Sequence, residues 1–295
     1  MARKLLDIRT VAVLMLLIGA VSYGLLSTFI KLAYDQWSLA EVTSSQVLLG
    51  TIMLWIIVLI RPQQWTNPFK GPWIQLSLIG VFGLFLTTMF FNVSLSYMDA
   101  SISIVLLFQF TWITILFDSV AKRTWPTLWQ LFCVGLILIG TFCAVNVFEV
   151  NYDTLSPLGV MLGLASAVTY ASFIFFTGRV QTTMDPVMRS AVMWTAAIPV
   201  VFMVWPPMTF DTSGIYELVG WGILLGLLGQ VIPTITFNIG IPKVGSSMAA
   251  LIGSSELPAA VVFAYLILDE QVMIVQWLGI SLILLGILVA EWRKA

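Results

Sequence analysis

The feature that most constrains this chain is a run of apolar residues, unbroken on any helical face, that returns about ten times along the sequence. A helix needs roughly 20 apolar residues to cross a hydrocarbon core of about 30 Å. Cutting the sequence at charges, prolines and glycine clusters predicts spans near 11–31, 38–60, 73–95, 98–118, 126–147, 157–178, 186–205, 217–238, 244–267 and 271–292. Val11 to Gly19 and Trp277 to Ala290 are apolar on every face, so they do not read as the alternating strands of a membrane β-barrel. The expected fold is an all-α membrane protein of ten transmembrane helices.

Composition agrees. Of 295 residues, 60% are hydrophobic and 9% charged, and 13 basic plus 14 acidic side chains are too few to coat a soluble globule of this length. A net charge of −1 leaves no basic face to displace counterions from phosphates, so nucleic acid is not an expected partner. The chain has no histidine, which removes His-based triads and the common His-containing metal sites; no metal and no cofactor is expected. Cys133 and Cys143 fall in one span, where a continuous helix holds them about 15 Å apart, too far for a disulfide. There is no G-x-x-x-x-G-K-[ST] loop, so any uphill work must draw on a gradient rather than a built-in nucleotide motor.

Basic residues on short loops stay on the cytoplasmic side. With the N-terminus inside, Arg3, Lys4, Arg9, Arg61, Lys70, Lys122, Arg123, Arg179, Arg189, Lys243, Arg293 and Lys294 fall on that side and only Lys31 falls outside. An even number of spans returns the C-terminus to the same side. The expectation is a multi-pass protein of the plasma (inner) membrane with both termini cytoplasmic and the lipid bilayer as its surroundings. The sequence sets no oligomeric state.

The two halves match at a shift near 146 residues. Gly80, Gly83, Thr88, Phe91 and Asn92 answer Gly226, Gly229, Thr234, Phe237 and Asn238; Ala20-Val21-Ser22-Tyr23 answers Ala167-Val168-Thr169-Tyr170; Gln130 and Gly140 answer Gln276 and Gly286. Five spans per half is an odd number, so the second copy lies inverted relative to the first. Inverted repeats are a transporter device, because two related halves around a midplane site can exchange shapes and open it to each side in turn.

These features, with Glu256-Leu257-Pro258-Ala259-Ala260, Leu268-Asp269-Glu270 and Gln276-Trp277-Leu278-Gly279, resemble the EamA-type domain of the drug/metabolite transporter (DMT) superfamily. The resemblance covers two copies, residues 11–147 and 157–292. The first copy departs from the pattern, with Trp112 or Ile113 in the proline slot and Lys122 or Arg123 in the acid slot. What the resemblance implies is a secondary exporter of small metabolites, often amino acids or related compounds.

Ionisable groups deep in a bilayer are expensive and mark functional sites by default. Glu256 lies midway along span nine, beside Pro258, whose missing N–H should kink or open the helix there. It reads as a proton-exchange or substrate-amine site, with a neutral carboxylic acid that packs helices as the alternative. Tyr23, Tyr170, Asn92, Asn238, Gln46, Gln109, Gln230, Thr88 and Thr234 lie at comparable depth and as a group suit a cavity for an amphipathic solute, although each alone fits interhelical hydrogen bonding. Pro233 is expected to kink span eight and break the pseudo-symmetry, because its repeat partner is Thr87. Asp118 with Lys122 reads as an i,i+4 pair, and Asp269 with Glu270 as caps of span ten.

The function expected is a secondary active transporter moving a small-molecule substrate outward by alternating access, with protons as a second partner through Glu256. A flippase for lipid or lipid-linked sugar is the alternative within transport; a channel or an intramembrane enzyme is the alternative outside it. An aspartyl dyad needs two deep acids, which an enzyme reading does not find here.

Overall fold

The computed structural model describes residues 2–61, 66–98, 100–146, 156–206, 214–269 and 271–292, with side chains described from residue 8 onward and not at 100–101. Among these residues the protein is helical throughout, without strands. We number the long helices α1 (Ala2–Tyr34), α2 (Leu39–Ile60), α3 (Trp73–Leu95), α4 (Ala100–Leu107 and Phe110–Lys122), α5 (Leu128–Ala144), α6 (Pro157–Thr177), α7 (Pro186–Val204), α8 (Ile215–Val244), α9 (Ser246–Gly253 and Glu256–Leu268) and α10 (Ile274–Trp292). Nine described helices are long and apolar enough to cross a membrane; α5 is apolar but, at 17 residues, shorter. The side chains of Arg3, Lys4, Glu270, Arg293 and Lys294 lie outside the described residues.

Helix starts are written in local sequence. Ser38 accepts from the Glu41 backbone N–H while the Glu41 carboxylate accepts from the Ser38 backbone N–H at 3.0 Å, a capping box that satisfies two otherwise orphaned donors. Gln130 does the same for Thr127, and the Met273 backbone N–H donates to the Gln276 side-chain oxygen at 2.9 Å. The Gln130/Gln276 match between the repeats is therefore a matched helix start. Helix ends match too. Arg123 closes α4 and Asp269 closes α9, both in the left-handed region at φ 54° and 53°. Asp269 therefore ends α9, and the start of α10 is capped instead by Gln276.

The repeats interleave rather than standing side by side. α1 and α2 pack on α8 of the other half, with α1 also on α9; in the mirrored arrangement α6 and α7 pack on α3, with α6 also on α4. α5 and α10 form a seam of their own. Glycines permit these close crossings, as small residues do between membrane helices. Gly80 faces the Met193 backbone on α7, and its counterpart Gly226 faces Gly50 on α2. Gly159 and Gly163 lie against Tyr97, Met98 and Leu106.

Four helices depart from regular geometry, in two equivalent pairs. α3 widens into a π-turn at Ile79–Phe85 and α8 at Leu227–Val231. Because α3 does so without a proline, Pro233 is not what breaks the pseudo-symmetry; both copies carry the irregularity. α4 and α9 are interrupted at Phe108–Gln109 and Ser254–Ser255. Around the first break N–H groups of Phe108, Gln109, Thr111 and Ile113 bond to carbonyls of Ile104, Leu106, Phe108 and Gln109. Around the second, Ser254, Ser255, Leu257 and Ala259 bond to Ala250, Ile252, Ser254 and Ser255, the same pattern shifted by about 146 positions. Pro258 adds to the second break, since it cannot donate to Ser254, but the first forms with Trp112 in that slot.

Candidate functional site

The two breaks meet at the centre of the bundle. Thr111 and Ser254 share a hydrogen bond at 3.1 Å, and Phe110, the repeat counterpart of Glu256, lies 3.8 Å from where a Cβ on Gly253 would stand. α1 approaches from the other side: a Cβ on Gly24 would sit 2.7 Å from the Glu256 carbonyl oxygen. Tyr23 is the residue just before that contact on α1, and its ring meets Tyr170 on α6 at 6.4 Å.

Aromatic rings surround that point. Tyr23 meets Tyr170 edge-on at 6.4 Å and Phe237 at 5.9 Å; Phe110 meets Tyr170 at 4.7 Å; Phe173 stacks on Tyr170 at 6.1 Å. Edge-to-face packing of this kind favours a rigid wall. Among the described residues, the buried hydroxyls of Tyr170 in this wall and of Ser255 in the α9 break have no hydrogen-bond partner. Glu256 and Tyr23 keep part of their surface uncovered by protein.

Of the residues expected to line a cavity, Tyr23 and Tyr170 come together, where α1 packs on the backbone of Glu256. The structure spends others on helix contacts. Thr234 accepts from the Trp194 indole at 2.8 Å, and Asn238 donates to Ser190 at 3.0 Å. Gln230, with its amide oriented to satisfy both neighbours, donates to the Gln46 carbonyl at 3.3 Å and accepts from the Val47 N–H at 3.2 Å. Thr88 donates to Leu84 one turn back, and Gln109 bonds within α4 to the Val105 carbonyl and the Trp112 indole. Asn92 is buried in α3.

Sequence reasoning missed a second polar centre. Asp118 pairs with Lys122 at 2.7 Å as expected, but it also accepts from Arg179 at 3.1 Å, Ser247 at 2.7 Å and Ser246 at 3.3 Å. It therefore ties the end of α4 to the ends of α6 and the start of α9, across the repeat boundary. Spacing along one helix exposes only the Lys122 partner; the others are 61 to 129 positions away. At this end the α4 and α9 segments pack on each other, whereas their far segments diverge, α4's onto α6 and α9's onto α1.

Arg189 is the other surprise. Expected at an aqueous edge, it is 5% exposed, its guanidinium donating at 3.4 Å to the Thr177 and Asn238 carbonyls and, among the described residues, meeting no carboxylate. Arg189 is thus buried by protein contacts in the first turn of α7. Away from the centre, a cavity of about 310 Å³ lies between α5, α9 and α10 beside Ser247, reaching Cys133. A groove of about 620 Å³ runs between α3 and α6, its mouth ringed by exposed Leu78, Phe82 and Phe176. Thr169 on its wall is hydrogen-bonded to Thr87 at 2.8 Å.

Comparison with known proteins places this arrangement. A solved crystal structure shares the fold with a TM-score of 0.75 over 96% of this chain and 98% of that chain, at 15% identity. An uncharacterised transporter of Synechocystis sp. is 24% identical over 99% of this chain and 96% of its own length. The uncharacterised transporter YcbK of Bacillus subtilis is 24% identical over 95% of this chain and 92% of its own. A probable amino-acid metabolite efflux pump of Escherichia coli is 27% identical over 56% of this chain and 60% of its own. The EamA-like transporter family matches twice, at residues 10–146 and 157–292. With both copies of the family's repeat accounting for nearly its whole length, this multi-pass membrane protein belongs to the EamA-like transporter family.

Proposed function

We propose that this protein is a secondary active exporter of a small organic metabolite, an amino acid or related amphipathic solute, running by alternating access with proton exchange at Glu256. In this reading all ten helices span the plasma membrane, the repeats occupy residues 11–147 and 157–292, and both termini are cytoplasmic. The observation that carries it is the meeting of two repeat-related helix breaks beside one carboxyl group and an aromatic wall, with the two helices joined at one end and parted at the other. Such a geometry is one of two exchangeable shapes. The Asp118 node is the closure at the cytoplasmic end, since the bases sort to that side.

A stabilisation screen followed by flux tests the reading. A bound solute at about a hundredfold its dissociation constant adds about 2.7 kcal/mol of stability, which a thermal shift on purified protein detects. The best solute should then show saturable uptake, accelerated by unlabelled solute inside the vesicle; linear flux that ignores solute on the far side would sink the carrier reading in favour of a channel. The groove between α3 and α6 favours a second reading, a lipid or lipid-linked sugar flippase, which fluorescent lipid exchange in the same vesicles would reveal.

The closure makes its own prediction. Asp118→Asn weakens the bonds from Arg179 and Lys122, so the cytoplasmic end should open more often. Cys133 is a native reporter there, being buried beside Ser247. In a Cys143→Ser background, maleimide labelling of Cys133 should speed up about tenfold, the population shift that roughly 1.4 kcal/mol provides. Unchanged labelling would remove Asp118 from any gating role.

A further inference from the structure

We propose that the groove between α3 and α6 seats a single anionic phospholipid of the cytoplasmic leaflet, its acyl chain lying in the groove and its phosphate at Arg179, and that this lipid loosens the closure at Asp118. The lipid is a resident effector and not the transported solute. Its effect, though not its seat, rests on Asp118 being the closure.

Shape is the first ground. α3 and α6 touch near mid-depth, where a Cβ on Gly83 would stand 2.8 Å from the Phe173 Cβ and Thr87 bonds Thr169 at 2.8 Å. Further out they stay joined, Ser94 donating to the Gly159 carbonyl at 3.0 Å. On the cytoplasmic side of Gly83 they part, and the space of about 620 Å³ opens sideways between exposed Leu78, Phe82 and Phe176. Gln75 to Gly83 rises about 12 Å at 1.5 Å per residue, close to half of a hydrocarbon core of about 30 Å. The groove is therefore about as long as one leaflet is deep and ends blind at the midplane, which suits a chain that stays rather than one that crosses. Its walls leave an acyl chain no free hydroxyl to desolvate, because Thr169 is spent on Thr87 and Ser172 donates to the Val168 carbonyl at 2.7 Å.

Charge is the second ground. Arg179 and exposed Gln75 line the groove at its helix-end mouth, and exposed Lys70 lies in the turn leading to α3, whose Gly71 rests against Met184 of the chain leaving α6. Arg179 donates to Asp118 at 3.1 Å through one nitrogen, and a guanidinium carries five N–H groups in a fork that matches phosphate. The other copy has no such seat. Between α8 and α1, Ala33 stands at the place of Arg179 and Trp221 at that of Gln75, while Leu228, in the slot of Phe82, is 8% exposed against 56%. Phe29 and Trp221 pack there against buried Leu225. Opening and base therefore occur together, and in one repeat only. A phosphate that accepts from Arg179 draws on the same guanidinium that holds Asp118, so the tie between α4 and α6 weakens when the lipid is seated.

Two measurements on the full-length protein test this. Released from vesicles of equal phosphatidylcholine and phosphatidylglycerol, the protein should retain a phosphatidylglycerol in native mass spectra with about tenfold preference over phosphatidylcholine. Ser172→Phe, which fills the groove, and Arg179→Gln, which removes the charge, should each lose that preference, whereas Arg179→Lys should keep it. In a Cys143→Ser background, maleimide labelling of Cys133 should be about threefold faster in the mixed vesicles than in phosphatidylcholine alone. Ser172→Phe should abolish the difference while melting like the parent. Equal retention of the two lipids overturns the proposal, as does a labelling rate that ignores phosphatidylglycerol. A difference that persists in Ser172→Phe overturns it too, because it would then come from surface charge and not from the groove. Saturable passage of fluorescent phosphatidylglycerol between leaflets would make the lipid cargo and sink the resident role in favour of a flippase. If Asp118→Asn speeds labelling while the lipid does not, the lipid seat fails alone; if neither does, the closure reading fails with it.

Discussion

Glu256→Gln should reduce pH-gradient-driven solute flux by about a hundredfold or more, each tenfold corresponding to about 1.4 kcal/mol. Glutamine keeps the size and hydrogen-bonding reach of the side chain but holds no exchangeable proton and no charge. The helix around it should survive, because the break at Ser254–Ser255 is made by backbone bonds and by the Thr111–Ser254 contact, none of which uses the carboxylate. The variant should therefore purify and melt like the parent while failing to accumulate solute against a gradient. Reconstituted vesicles with an internal pH dye read both quantities. Undiminished gradient-driven flux would show that Glu256 is a helix-packing acid and that coupling lies elsewhere.

The second large effect is structural. A Cβ on Gly279 would collide with the backbone of Ala144 and the Gly140 carbonyl, and one on Gly140 would sit 2.8 Å from the Gly279 carbonyl oxygen. Backbone on both sides cannot move aside as a flexible side chain could. α5 is also the shortest of the ten helices, and α10 is its main neighbour. Gly279→Ala should therefore cost about 3 kcal/mol, the upper part of the usual overpacking range, or more. In detergent that is a fall of roughly 10 °C in the melting temperature. Gly135, on α5 itself, has nothing within 4 Å of its would-be Cβ. Gly135→Ala should be neutral or stabilising by up to about 1 kcal/mol through helix propensity. Equal behaviour of the two variants would mean that the α5–α10 seam is looser than its backbone approach indicates.

Much of the fold is legible in the chain because it depends on short-range physics. Apolar length set the helices, and Ser38, Thr127 and Asp185 mark starts with their own side chains. The Gln130/Gln276 repeat match turned out to be a shared helix start once the structure showed both side chains accepting from a backbone N–H. Legibility failed where partners are far apart in sequence. Asp118 looked like half of a local pair because Arg179 and Ser247 reach it only through folding. Arg189 looked like a loop base because the hydropathy of a single helix does not reveal that α6 and α8 close over it. Pro233 and Pro258 drew attention as breakers, yet the equivalent irregularities at Ile79–Phe85 and Phe108–Gln109 occur without proline, so packing against the partner repeat imposes them too.

The candidate site divides in the same way. Depth and scarcity of charge pointed to Glu256 from sequence, and repeat matching pointed to the Tyr23/Tyr170 pair. Nothing in the order of residues indicated that Phe110 and Phe173 would complete the wall, or that Gln230, Asn238 and Thr234 would be taken up by helix contacts. Those outcomes depend on interleaving, with the first helix of each half packed against the third and fourth of the other. By itself, then, the sequence determined that this chain is a bundle of membrane helices in two matching copies, because burial in lipid depends on composition along each span. Which helices touch, and therefore which polar groups remain free for a ligand, was decided only in the tertiary structure, because lipid tails are as apolar as the helices and only close backbone approach and interhelical hydrogen bonds choose among neighbours.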